Sequence, residues 1–186
     1  MKKIILFASG SGSNAEKIIR HCQERKIIEV VRVYTNNPTA KVIARAESLH
    51  VPVEIFNRQD LNDGKIAEKI SQDAPDLIVL AGFLWKFPES IIKDFPNKTI
   101  NIHPALLPKY GGKGMYGMNV HQAVLANNEK ETGITIHYVN EHYDEGGILF
   151  QKSVNIENCS SAEEIAEKIH ILEHQYFIEV IENLLT

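Results

Sequence analysis

Asn101 and His103 stand two residues apart in "INIHPALLPKYGG", residues 100–112, where a strand-like stretch runs into a proline- and glycine-rich loop. Side chains on a strand alternate between faces, so this pair projects on one side, and Pro104 then ends the ladder. An amide that donates and an imidazole that can carry a proton would thus face one point in a crevice. A third group of the right kind is Asp144 in "HYDEGGIL", where Gly146 and Gly147 permit tight backbone geometry. A carboxylate facing His103 would raise the imidazole pKa and so favour its protonated form. Taken singly, each has a plainer reading: His103 as a structural hydrogen-bonding residue at a strand end, Asp144 as a turn aspartate.

A second candidate is the turn Ser9-Gly10-Ser11-Gly12-Ser13-Asn14, which links a buried strand to an amphipathic helix. The helix N-terminus presents backbone N–H groups and a positive dipole end, which favours an anion, most simply a phosphate. Ser13 and Asn14 are expected to add side-chain hydrogen bonds or to cap the helix. Gly10, Gly12 and Ala15 also satisfy the dinucleotide pattern G-x-G-x-x-G/A, which calls for an acidic residue at the end of the second strand. That strand ends Thr35-Asn36-Asn37, and no G-x-x-x-x-G-K-[ST] occurs, so both nucleotide-loop readings lose their support.

These residues need a scaffold, and apolar runs of strand length alternating with helical periods predict a parallel sheet covered by helices. Strands are expected over 3–8, 30–35, 53–56, 77–81 and 99–103, with helices over 14–25, 40–49, 61–72 and 120–127. Asn62-Asp63-Gly64 leaves the start of the third helix open. Further strands over 133–139 and 148–156, joined through "NEHYDEGG", place antiparallel strands in the C-terminal part. A last helix opens at Ser160-Ser161-Ala162-Glu163, a capping-box signature, with Ile165, Ile169, Leu172 and Tyr176 on one side. The expected class is α/β, an open doubly wound, mostly parallel sheet whose ligand crevice lies at the carboxyl ends of its strands. With no repeat, linker or low-complexity segment, residues 1–186 read as a single domain.

A chain of 186 residues buries roughly 70% of its unfolded surface. With 44% hydrophobic and 24% charged residues it is an ordinary globular sequence, and a formal charge of −4 without a basic run argues against a nucleic-acid surface. Cys22 and Cys159 lack metal or redox spacing and are expected to be reduced thiols in a cytoplasmic protein. The opening "MKKIILFAS" imitates a secretory signal, but its apolar run falls short of the ~7–15 residues required, and nothing approaches the ~20 apolar residues of a membrane span. His170-Ile171-Leu172-Glu173-His174 fits the zinc pattern H-x-x-E-H, yet no third ligand is evident and no metal is expected.

The combination of "SGSGSN", "LIVLAGF", "INIHPALLPKYGG" and "HYDEGG" resembles the folate-dependent formyltransferases along essentially the whole chain, the N-x-H-P-x-L-L-P-K-Y core being highly specific to them. The resemblance implies a Rossmann-like formyltransferase fold. It also implies transfer of the formyl group of 10-formyltetrahydrofolate to the amino group of 5'-phosphoribosylglycinamide (glycinamide ribonucleotide), a step of purine biosynthesis. The implied partners are those two small molecules, with no nucleic acid and no membrane. Matching positions carry Asn101, His103 and Asp144 as the catalytic trio and Gly12, Ser13 and Asn14 as the phosphate holder. Glu173 is carried over to the glycinamide end of the substrate, with a plain solvated role as its alternative. Leu84, Trp85, Lys86 and Phe87, with Asn101, are carried over to the folate pocket. Here the chain departs from the commoner form, in which an arginine follows the methionine or leucine. The loop "YGGKGMYGMNVHQ" is longer than in many relatives, and Lys109 just before it, with Lys113 and His121 within it, either meet anionic ligand groups or belong to a solvated loop. His137 is expected to lie behind the trio. Methionyl-tRNA formyltransferase and formyltetrahydrofolate hydrolase share the hinge but resemble longer proteins, and a non-catalytic nucleotide-binding module is the alternative from another class.

Overall fold

Ile4, Ile5, Leu6 and Phe7 are each completely buried, as expected of a strand covered on both faces. They belong to β1 (Lys2–Phe7), which pairs in parallel with β2 (Ile28–Thr35) on one side and β4 (Leu77–Leu80) on the other. β3 (Val53–Ile55) adds to β2, also in parallel, giving the order β3-β2-β1-β4. The computed structural model describes residues 1–186 and separates into two compact units, one of residues 1–100 with 184–186 and one of residues 101–183.

In the first unit the crossovers are α1 (Ser13–Arg25), α2 (Lys41–Ser48), α3 (Arg58–Asn62) and α4 (Lys65–Asp73). The expected single helix over 61–72 is two. Asn57 and Asp60 form a reciprocal capping box that starts α3 early, and Gly64 at φ 88° breaks the run before α4. α5 (Glu89–Asp94) had no counterpart in the sequence reading, because six residues carry too few periods to signal a helix. Tyr34 stacks on Phe7 with ring centroids 4.8 Å apart, and its hydroxyl donates to Asp73, which also takes a two-pronged ion pair from Arg32.

β5 (Thr99–His103) carries the chain into the second unit, where α6 (Met118–Ala126), β6 (Glu131–Tyr138), β7 (Ile148–Asn155) and α7 (Ala162–Leu185) follow. β6 and β7 are antiparallel, with a register shift between Ile136 and His137. The class is thus α/β, parallel in its first part with an antiparallel pair in its last, as the strand and helix pattern predicts. The α7 cap falls one residue later than expected: Ser161 Oγ accepts from Glu164 N–H, and Glu164 accepts from Ser160 N–H. Adjacent serines and glutamates make the two registers indistinguishable in the sequence. No helix is long and apolar enough to cross a membrane.

The turn after β1 shows why one of its glycines is required. Gly12 caps α1 at φ 72°, and a Cβ there would lie 2.4 Å from Val42 Cγ2 and 2.8 Å from Val42 Cα. Gly10 has open space around the same position. Gly12→Ala is expected to lower the unfolding free energy by at least ~1–2 kcal/mol, the cost of a left-handed non-glycine residue, with the Val42 clash added. Gly10→Ala serves as the near-neutral control in the same urea titration.

Candidate active site

β5 ends in the pair anticipated from its period. Asn101 is partly exposed, and His103 is 3% exposed at the last strand position. The ring of His103 is held by the loop that follows it: Nε2 lies 2.7 Å from the Tyr110 carbonyl oxygen. A carbonyl only accepts, so Nε2 carries the proton, and Nδ1 of the neutral ring is bare. That bare nitrogen lies 3.5 Å from Asp144 Oδ2.

Asp144 comes from the β6–β7 connection, at φ 55°, a left-handed conformation that a short polar residue tolerates. Its Oδ2 accepts the Gly112 N–H at 3.0 Å, and its Oδ1 lies 3.6 Å from Nε2 of a second imidazole, His137. His137 is 2% exposed. Its Nδ1 donates to the Tyr138 carbonyl at 2.8 Å, which leaves Nε2 as an acceptor, and Asn101 Nδ2 donates to it at 3.2 Å. The structure therefore brings Asn101, His103 and Asp144 together and places His137 in contact with two of the three.

The electrostatics correct one expectation. Asp144 does push the His103 pKa up, but burial pushes it down more strongly, and the imidazole ends below its ordinary value. In the free protein, therefore, the carboxylate does not keep His103 protonated near neutral pH. For Asp144 burial acts upward, yet His137, His103 and the Gly112 N–H together outweigh it and leave the carboxyl below its usual range.

Glu173 on α7 is 6% exposed, which excludes a plain solvated role, and it accepts from His170 Nδ1 at 3.2 Å. This pair raises the pKa of His170. His170 and His174 have ring centroids 6.2 Å apart, and no three metal-ligating side chains gather there or elsewhere. Of the loop cations, Lys109 is paired with Glu129 at 3.0 Å and Lys113 is exposed. His121 is buried on α6 at 4% exposure, its Nδ1 without a hydrogen-bond partner and its pKa lowered by that burial.

In the first unit, the turn and the segment after β4 are joined by a residue that the sequence reading passed over. Ser9 Oγ donates to Asn36 Oδ1 at 2.6 Å and accepts the Leu84 N–H at 3.0 Å, tying together the carboxyl ends of β1, β2 and β4. Gly12 is the α1 cap without a side-chain capping bond, and Ser13 and Asn14 are the first helical residues rather than caps. Leu84 is 46% exposed, and Lys86 lies 3.8 Å from Glu89. Phe87 is buried edge-on against Phe7 and Phe83. Trp85 packs against Phe56 and Phe83, with the Arg58 guanidinium 4.3 Å above its ring. A cation thus reaches this segment from α3 although no arginine stands in it.

The parallel α/β first unit, and in the second a β5 end whose imidazole faces a carboxylate from the β6–β7 connection, belong to an α/β enzyme; the chain is a member of the formyl transferase family, whose sequence model matches residues 2–181. It is 36% identical to a phosphoribosylglycinamide formyltransferase of Bacillus subtilis (strain 168), over all of this chain and 95% of that one. It is 37% identical to a chloroplastic phosphoribosylglycinamide formyltransferase of Arabidopsis thaliana over 97% of this chain, and spans 64% of that relative's length. The crystal structure of glycinamide ribonucleotide transformylase 1 from Geobacillus kaustophilus superposes with a TM-score of 0.91 at 31% identity, covering 100% of both chains.

The buried imidazoles set a pH dependence. His103 and His121 sit below the ordinary imidazole value of 6.5, so at lower pH the unfolded chain binds protons that the folded chain does not. Their contribution to stability is complete above that value and is lost as pH falls through it. His170, raised by Glu173, acts with the opposite sign, so a difference between variants is the clean measurement. Relative to wild type, His121→Leu is expected to gain melting temperature as pH is lowered from about 6.5 to about 5. Parallel melting curves would show that His121 does not titrate on unfolding.

Proposed function

We propose that the chain transfers the formyl group of 10-formyltetrahydrofolate to the amino group of glycinamide ribonucleotide, a phosphoribosylglycinamide formyltransferase activity in purine biosynthesis. The observation that carries this reading is the grouping of Asn101, His103 and Asp144, with His103 Nδ1 and Asp144 Oδ2 3.5 Å apart and both groups largely buried. The names of the Bacillus and Arabidopsis relatives support the choice of substrates.

On this reading the substrate amine attacks the formyl carbon, and the carbonyl π electrons move to oxygen. An Asn101 N–H donates to that oxyanion, and the His103 Nε2–H joins it by exchanging the Tyr110 carbonyl for the developing charge. Asp144 takes the proton that the amine loses and delivers it, directly or through water, to the folate nitrogen as the carbon–nitrogen bond breaks and the carbonyl re-forms. Gly12, Ser13 and Asn14 hold the substrate phosphate at the α1 N-terminus, where the first N–H groups lack intrahelical partners. Glu173 receives the glycinamide end, while Leu84, Trp85, Lys86 and Phe87, with Asn101, receive the folate.

The co-substrate is thus a formyl folate and no metal takes part. We further take residues 1–186 as one formyltransferase domain, supported by a family match over residues 2–181. A cytoplasmic setting accords with Cys22 and Cys159 being thiols rather than a disulfide.

Absorbance assays with a 10-formylfolate donor, run with and without glycinamide ribonucleotide, test the reading. Donor consumption is expected only with the acceptor present. Consumption without it would indicate a hydrolase, and tight binding without turnover a non-catalytic module. Asn101→Ala, His103→Ala and Asp144→Ala are each expected to lower kcat by about 10²–10³-fold, the usual cost of losing an oxyanion donor or proton carrier. A loss under about tenfold in variants that bind both ligands normally would remove the trio from the chemistry.

A further inference from the structure

His137 stands at an irregularity that gives it an unusual position. Along β6 and β7, Ile136 faces Phe150 but His137 faces Ile148, so one residue of β7 is skipped at this point. Such bulges twist a strand locally and re-aim the side chain beside them. The carbonyl that receives the His137 Nδ1–H is fixed as well. Tyr138 N–H donates to the Gly147 carbonyl at 2.9 Å, and a Cβ on Gly146 would lie 1.6 Å from the Tyr138 oxygen. Only a glycine at position 146 lets the chain pass so close to that carbonyl.

We propose that His137 is the positioning residue that decides which end of the Asn101 amide faces the imidazole and which is left for substrate. The two ends of an amide are nearly alike in shape, and the partner's tautomer selects between them. With Nδ1–H committed to the Tyr138 carbonyl, Nε2 accepts, so Asn101 turns its NH2 toward it at 3.2 Å. One amide proton is then taken by His137 and the other is left for a substrate oxygen. Were the ring in the other tautomer, Nε2–H would call for the amide oxygen and turn the donor away. Burial of His137 keeps water from substituting for the imidazole. The proposal deepens the formyltransferase reading and rests on it for its kinetic consequences, whereas the ring tautomer is independent of any activity.

Two measurements on the full chain test it. In long-range ¹H–¹⁵N spectra of the ligand-free protein, His137 is expected to be protonated at Nδ1 and bare at Nε2, and Asn101→Ala is expected to shift the Nε2 resonance alone. In formylation assays His137→Leu is expected to lower kcat about ten- to a hundredfold with KM for both substrates within about threefold, part of the cost of a lost oxyanion donor. His137→Gln, whose side-chain oxygen reaches the place of Nε2, is expected to recover most of the loss. In an Asn101→Ala background His137→Leu should cost little more, because the two act through one contact. An Nε2–H tautomer overturns the proposal whatever the kinetics show, and so does full additivity of the two substitutions. Should His137→Leu fail to fold, the spectra and His137→Gln decide. Should formylation itself be absent, the spectra still decide for His137 while the functional reading falls separately.

Discussion

Two backbone carbonyls organise the candidate site of the second unit. Tyr110 and Tyr138 each take the outer N–H of an imidazole, at 2.7 and 2.8 Å, and each thereby leaves the opposite ring nitrogen bare toward Asp144. Because both rings are buried, neither N–H can exchange its carbonyl for bulk water without a cost of about 1–3 kcal/mol. The tautomers of His103 and His137 are therefore consequences of main-chain geometry. Everything else in the site, including the orientation of Asn101 and the surroundings of Asp144, follows from where those two carbonyls lie.

This explains which parts of the site could be read in the sequence. A period of two put Asn101 and His103 on one side of β5, and a glycine pair marked Asp144 as a residue in special backbone geometry. Side-chain chemistry leaves a trace in residue type. A carbonyl or an N–H does not, so the roles of Tyr110, Tyr138 and Gly112 had no sequence signal. His137 was legible only as a family-like position behind the trio. The sign of the His103 shift was missed for a related reason, since the approach of a carboxylate can be guessed from composition but the depth of burial that opposes it cannot. The strand and helix pattern was recovered almost in full. Its failures were local: a helix split at Gly64, a six-residue helix too short to show a period, and a cap that could take either of two adjacent serines.

Glycine-rich motifs need a similar separation of causes. Gly12 is demanded by its left-handed backbone and by the closeness of Val42, and Gly146 by the Tyr138 carbonyl. Neither requirement involves a ligand, so the glycines of "SGSGSN" and "HYDEGG" do not by themselves mark binding sites. What favours an anion at the first turn is the start of a thirteen-residue helix there. The Trp85 segment gives the converse lesson. Its lack of an arginine is visible in the sequence, but the guanidinium supplied from Arg58 is a matter of packing.

The acid–base character of the centre follows from counting donors. An ionised carboxylate offers about four acceptor positions. Within the protein, Asp144 has one backbone donor at hydrogen-bond distance, while His103 Nδ1 and His137 Nε2 lie at 3.5 and 3.6 Å. In the neutral tautomers set by the carbonyls both of those nitrogens are acceptors too, and only as donors or in their charged forms do the rings hold the carboxyl down. Three acceptor groups consequently converge with few protons among them, in surroundings dry enough to make an unmet acceptor expensive. Such a centre suits a group that arrives with protons to give. On the proposed reading, the amine that must lose a proton as it attacks is that kind of group, and an imidazole or carboxylate already faces the proton that it gives up.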